Sequence, residues 1–260
     1  MPTNILYGFV LLLFVISCND KDSPIDPPTD PVKKCRLVKM IQGTNNGAVN
    51  DTTFNFYYDA AGKLYMVTGS YAGYRRIDTS LITYNDSGKL VKISTPGSAY
   101  GTTFSYTSNG LLSEINHSSY DPMRMRYVYN GTSILPEKCV AFRLSGTSGT
   151  PLDTTEYRYT SQNGNIVSSE TFRGGVSRGK STFEFDTIPN LNADLALIDL
   201  FDQPLLFGFE FFYFNKNMFK KGGSTYLTYK LDSGRLVQSL TYKDQNQLPS
   251  ATRNYFWECN

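Results

Sequence analysis

Apolar and polar positions take turns along this chain. In FNFYY, Phe54, Phe56 and Tyr58 fall on one side, with Asn55 and Tyr57 on the other. A period of two marks a strand half-buried on one face. The alternation returns in TFSY, where Phe104 and Tyr106 oppose Thr103 and Ser105. In MRMRYVY, Met123, Met125, Tyr127 and Tyr129 oppose Arg124 and Arg126. EYRY sets Tyr157 and Tyr159 against Glu156 and Arg158, and TFEF sets Phe183 and Phe185 against Thr182 and Glu184. Strands of this kind have one apolar face and one wet face.

Turn signals separate them. Between Tyr58 and Leu64 stands Asp59-Ala60-Ala61-Gly62. Asp bonds back to the backbone there and Gly supplies a positive φ. Leu64, Met66 and Thr68 then run back, so the unit is a β-hairpin. YNDSGKL (Tyr84 to Leu90), YTSNGLL (Tyr106 to Leu112), YTSQNGNI (Tyr159 to Ile166) and YKLDSGRL (Tyr229 to Leu236) repeat it. YKDQNQL, Tyr242 to Leu248, is a copy without its glycine. Tyr58, Tyr84, Tyr106 and Tyr129 recur every 22 to 26 residues, which is two strands and two turns per repeat. A long meander of one-faced strands curls over its apolar side. The expected fold is all-β: a curled antiparallel meander, a half-barrel or rolled sheet, of roughly 14–18 strands. Short strands with polar outward faces argue against a barrel that crosses a membrane.

The pattern lapses from Asp186 to Gly223. Leu195, Ile198 and Phe201 share one helical face, Asn192 can cap the start and Pro204 stops the run. One short helix is expected over 192–202, packed on the apolar face of the sheet as a plug, or as a lid over a ligand cavity. LLFGFEFFYFNKNMF, Leu205 to Phe219, follows. It reads as a strand buried on both faces, with a partner- or lipid-binding surface as the other reading.

The N-terminus has a different character. Residues 1–17 carry no charged side chain, and Ile5 to Ile16 is an apolar run too short to span a bilayer. It ends in Val15-Ile16-Ser17-Cys18, which resembles the lipobox of bacterial lipoproteins, although no Lys or Arg precedes the apolar run. That resemblance implies an acylated Cys18 at the mature N-terminus, holding the protein to a membrane. A plain secretory signal or an uncleaved anchor are the other readings. NDKDSPIDPPTDP, Asn19 to Pro31, holds four prolines and four aspartates and reads as an extended tether. The expected organisation is a signal peptide over 1–17, a tether over 18–33 and a single domain over 34–260.

Net charge is +2, which gives no reason to expect nucleic acid as a partner. Beyond Cys18 stand Cys35, Cys139 and Cys259. Cys35 opens the first strand-like run and Cys259 closes the last. A disulfide between them would tie the ends of an exported domain together. The alternative is three buried thiols. No Cys-x-x-Cys, His-Glu-x-x-His, Gly-x-Ser-x-Gly or phosphate-loop pattern is present, so no metal, cofactor or catalytic residue is expected. His117, the single histidine, reads as a surface residue. GSYAGYRR places Tyr71, Tyr74, Arg75 and Arg76 around a glycine-bearing turn, a combination suited to sugars or anions, or else a plain connecting loop. Trp257, the single tryptophan, shares parity with Cys259 and is expected in the core beside it.

Tyr-Asp-x-x-Gly-Lys-Leu resembles the Tyr-Asp repeat of Rhs and teneurin shells. Over roughly Cys35 to Cys259 the chain is more similar to a group of Bacteroidetes lipoproteins of unknown function. Those have a porin-like, curled antiparallel sheet built from such hairpins. The resemblance implies an outer-membrane location, on the periplasmic or the surface side, and carries over no catalytic residue. The expected function is that of a non-catalytic, lipid-anchored envelope protein that binds a glycan or peptide. A carrier of a lipid or partner in the concave face, and a structural or adhesive component with a protein partner, are the alternatives.

Overall fold

The computed structural model describes residues 35–44, 51–71, 77–145, 149–190, 213–232, 236–244 and 246–259, the side chains of Thr44 and Tyr71 excepted. Cys35–Asn260 forms one compact unit. Among the described residues it has sixteen elements, all of them strands. The first eight are β1 (Cys35–Thr44), β2 (Thr52–Tyr58), β3 (Leu64–Tyr71), β4 (Ile77–Tyr84), β5 (Leu90–Ser94), β6 (Gly101–Tyr106), β7 (Leu112–Ser118) and β8 (Met123–Tyr129). Then come β9 (Pro136–Leu144), β10 (Pro151–Gln162), β11 (Asn165–Arg173), β12 (Val176–Pro189), β13 (Asn217–Gly222), β14 (Thr225–Leu231), β15 (Val237–Lys243) and β16 (Pro249–Cys259).

Each strand pairs antiparallel with its sequence neighbours, and β16 pairs with β1. The sheet is therefore a closed barrel, which corrects the half-barrel or rolled sheet read from the sequence. The reason is at the ends. β1 and β16 are long enough to pair from Cys35↔Cys259 to Thr44↔Ala251, and that ladder removes both free edges. The helix expected over 192–202 lies outside the described residues.

One end of the barrel carries the turns of the repeated motif, together with Cys35 and Cys259; it is called the motif end below. The other holds the turns between repeats and is called the far end. The degraded copy at Tyr242 to Leu248 turns out to belong to the far end, between β15 and β16.

The structure gives each letter of the motif a task. Asp59 Oδ1 accepts the backbone N–H of Ala61 at 2.9 Å and of Lys63 at 2.8 Å. Asn85 accepts from Lys89 at 2.9 Å and Asp232 from Leu236 at 2.9 Å, so the acid or amide organises the turn. Gly62, Gly88 and Gly110 have φ of 78°, 81° and 81°, a region where a Cβ is strained. The tyrosine acts at the seam with the preceding repeat. Strands β5 and β6 pair only as far as Lys92↔Thr103, then splay towards the motif end. Beyond that point the Tyr106 hydroxyl donates to the Leu90 carbonyl at 2.7 Å. Tyr58 donates to Leu37 at 2.8 Å, Tyr129 to Leu112 at 2.7 Å and Tyr229 to Phe219 at 2.5 Å. Trp257 replaces the tyrosine between β15 and β16 and donates from Nε1 to Val237 at 2.8 Å. The motif lysine lies over the tyrosine of the next repeat: Lys63 over Tyr84 at 4.3 Å and Lys89 over Tyr106 at 5.1 Å. The leucine is core: Leu64, Leu90 and Leu112 are all buried.

Apolar side chains fill the inside. Leu37, Met40, Val67, Ile115, Met125 and Leu240 are almost completely buried. Outward positions are mostly polar, with apolar exceptions such as Tyr57, Leu81 and Phe256, and carry cross-strand ion pairs, Glu114 with Arg126 at 2.8 Å, Arg36 with Glu258 at 2.6 Å and Glu184 with Lys221 at 3.4 Å. This polarity is the reverse of a membrane-spanning barrel, whose outer band is apolar and whose lumen is polar.

The connection between β12 and β13 returns to the described residues at Tyr213. Phe214 enters the interior near the motif end, edge-on to Tyr127 at 5.0 Å. Met218 and Phe219 are both buried, while 205–212, the rest of the apolar run, lies outside the described residues.

Candidate functional site

Around β1 to β8, inward positions carry large residues such as Phe54, Phe56, Ile93 and Phe104, and a smaller cavity of about 410 Å³ lies beside Phe54, Gly69, Asp78 and Ser80. Around β10 to β13 the corresponding positions shrink. Pairing of β10 with β11 and of β11 with β12 aligns Thr155 with Arg173, Tyr157 with Thr171, Ser169 with Ser181 and Thr171 with Gly179. Small side chains on one arc of a barrel leave a void on that arc. It is a cavity of about 630 Å³ inside the wall, towards the far end. Its size lies within the range of about 300–1,000 Å³ common to small-molecule sites. Gly222 shapes one side. A Cβ there would stand 2.7 Å from Phe219 Cζ and 2.9 Å from Phe183 Cδ1, so the missing side chain lets both rings lie against the strand.

The cavity has two characters. Its inner part is apolar, lined by Met125, Ile166, Tyr157, Phe183 and Phe219. Its outer part is polar, lined by Arg143, Asp153, Thr155, Thr171, Arg173 and Ser181. Arg143 donates from Nε to Asp121 at 2.7 Å, and that carboxylate raises the pKa of the guanidinium, with Asp153 adding to the effect. Arg173 donates from Nε to Thr155 Oγ1 at 3.2 Å and stands 3.9 Å from Asp153. In both arginines the described bonds engage Nε, and the side chains are 60% and 59% exposed.

His117 is not the surface residue expected from sequence. It pairs in register with Thr102 and Met123 on the inward face, and its Nδ1 lies 2.9 Å from Thr102 Oγ1. Burial lowers its pKa, so the neutral ring is favoured. Next to it, no cluster suited to holding a metal ion exists among the described residues.

The other sequence-derived candidates fall in three places. Tyr71 closes β3 opposite Thr52. Its side chain, and residues 72–76 with Tyr74, Arg75 and Arg76, lie outside the described residues, as does Cys18. Cys35 and Cys259 are joined in a disulfide at the motif end, across the β1–β16 seam. Cys139 is a buried thiol facing inward between Tyr127 and Tyr157. Trp257 packs against the core opposite Leu37, two positions from that disulfide.

Sequence reasoning missed the polar arc, yet a signal was present. The parity that places Tyr157 and Tyr159 inward also places Asp153 and Thr155 inward. A run of polar residues at inward parity, in a chain whose inward positions are mostly apolar, points to a void in the core.

No family model and no curated protein matches the chain. Among solved structures, a porin-like protein from Bacteroides uniformis ATCC 8492 superimposes with a TM-score of 0.54 at 14% identity, over 85% of this chain and 98% of that one. A porin-like protein from Bacteroides vulgatus ATCC 8482 gives 0.53 at 12% identity, over 85% and 98%. At such identity the likeness is one of fold: this chain shares its antiparallel β-architecture with those proteins over most of its length.

Proposed function

We propose that this chain is a non-catalytic, lipid-anchored protein of the bacterial envelope, whose barrel interior holds a small amphiphilic ligand. The observation that carries this reading is the cavity of about 630 Å³, apolar within and polar at its outer part. A barrel with a polar outside and an apolar inside is not built to conduct through a bilayer, but it is suited to sheltering apolar matter from water. The lipobox-like Val15 to Cys18 and the Pro/Asp-rich tether after it supply the anchor. Similarity in fold to two porin-like Bacteroides proteins fits an outer-membrane or envelope setting. Of the three sequence-based functions, the carrier gains most, because it is the one that needs an interior void.

Native mass spectrometry of the full chain, purified from its own membranes, tests the ligand. The expected result is a co-purifying small amphiphile that is lost in Ser169→Leu, where a larger side chain enters the cavity from β11. Protein that carries no small molecule, or a variant that carries the same one, would refute the reading. The anchor is tested separately. Cys18→Ser should move the protein from the membrane fraction to the soluble fraction, and a protein that stays on the membrane would exclude acylation of Cys18 as the anchor.

A further inference from the structure

We propose that the amphiphile held in the cavity is a monoanion, a single apolar chain ending in a carboxylate or comparable acidic oxygen group, with its head held by Arg143 and Arg173. This rests on the cavity reading above and adds the chemistry of the head.

The argument starts from register. Arg143 on β9 is paired with Asp153 on β10, and Thr155, two residues further, is paired with Arg173 on β11. The two guanidinium groups therefore stand on the same inner face, one strand apart on either side of β10, and both line the cavity. Each is positioned through Nε alone, Arg143 by Asp121 and Arg173 by Thr155. A guanidinium fixed at Nε presents its terminal N–H groups as a preset fork, the geometry that grips planar acidic oxygens.

Charge at this end points the same way. The cations around the outer part of the cavity and its adjoining lip are Arg143, Arg173, Arg178 and Lys180. The carboxylates facing them are Asp121, Asp153 and, opposite Lys180 on β11, Glu170. Four positive groups against three negative ones leave one positive charge, which one monoanion neutralises. A neutral head would leave that one positive charge uncompensated, and a cationic head would add to the excess.

Depth is consistent with this. The apolar residues Met125, Ile166 and Phe219 lie inward of the arginines, so a head held at the forks places its chain among them. Burying that chain stabilises the complex by roughly 0.8 kcal/mol per methylene.

The test uses the full chain in lipid nanodiscs, titrated calorimetrically with octanoate, octan-1-ol and octylammonium, with empty nanodiscs as the reference for partitioning. Octanoate is expected to bind at least ten-fold tighter than octan-1-ol, with octylammonium weakest. The double variant Arg143→Gln/Arg173→Gln is expected to erase the difference while still binding octan-1-ol, which also shows that its cavity is intact. Equal binding of octanoate and octan-1-ol would overturn the anionic head and leave the cavity reading standing, as would preference for octylammonium. An octanoate preference that survives in the double variant would overturn the role of the two arginines. Binding of none of the three would overturn both readings.

Discussion

The tyrosine of the repeated motif closes a gap that its sequence position does not reveal. At five seams the ladder stops, and three residues beyond the last pair an aromatic side chain donates to a main-chain carbonyl two residues beyond it on the facing strand. On that side the carbonyls lie beyond the last ladder pair, and an unpaired polar group away from water is costly. Tyr106 shows the logic most simply, because its ring also carries Lys89 and its hydroxyl lies close to Tyr213. Burial raises the pKa of this hydroxyl, with Tyr213 adding to the shift, so it remains a protonated donor through the physiological range. Tyr106→Phe keeps the ring and removes the donor. The expected loss is about 1 kcal/mol in urea unfolding. An unchanged midpoint would mean that water or another donor serves Leu90 equally well. The seam between β11 and β12 already runs without such a donor: its ladder ends at Ser168↔Thr182, and Phe185 stands where the others have a tyrosine.

Hairpins are the element from which the barrel is made, and their turns show which letters are obligatory. Gly88 has φ of 81°, with only Lys63 Nζ near the position a Cβ would take, at 3.8 Å. Space is therefore available and conformation is the obstacle, so Gly88→Ala should cost about 1–2 kcal/mol. The degraded copy offers the reverse experiment. Gln247 holds φ of 63° in a turn that Asp244 still organises through Asn246 at 2.8 Å and Leu248 at 2.9 Å. Gln247→Gly should stabilise by up to about 1 kcal/mol, since glycine adopts that region freely. Chemical denaturation of the two variants checks both signs at once, and a loss at both positions would show that side-chain contacts, and not φ, decide these turns. These elements were legible in the sequence because period-two alternation and Asp-x-x-Gly turns are local. The polar arc was harder to read. Arg143, Asp153, Thr155, Thr171 and Arg173 share parity with core residues, but only the register of three strands brings them to one side of one cavity. His117 was misread for the same reason: a strand end looks exposed until the barrel encloses it.

At the scale of the molecule, closure is the feature that local pattern did not supply. Whether a curled sheet stays open or meets itself depends on the pairing of its first and last strands, which lie a whole domain apart in sequence. Cys35 and Cys259 are separated by 224 residues, and their Cα atoms are 4.0 Å apart. Two devices hold this seam: the ladder running on to Thr44↔Ala251, and the disulfide at its motif end. They act on different states. The ladder stabilises the native sheet, and the crosslink restricts the unfolded chain; in the entropic account a loop this long is worth about 5 kcal/mol, and removal of native disulfides typically costs about 2–5 kcal/mol. The double variant Cys35→Ser/Cys259→Ser should therefore unfold at lower denaturant, by about 2–5 kcal/mol, while its far-ultraviolet circular dichroism stays that of the parent. Reduction of the parent should give the same shift. A variant that loses its β-signal without denaturant would show that the ladder cannot close the barrel unaided. The covalent link would then be part of the fold itself, and the protein would reach its closed form only where thiols are oxidised.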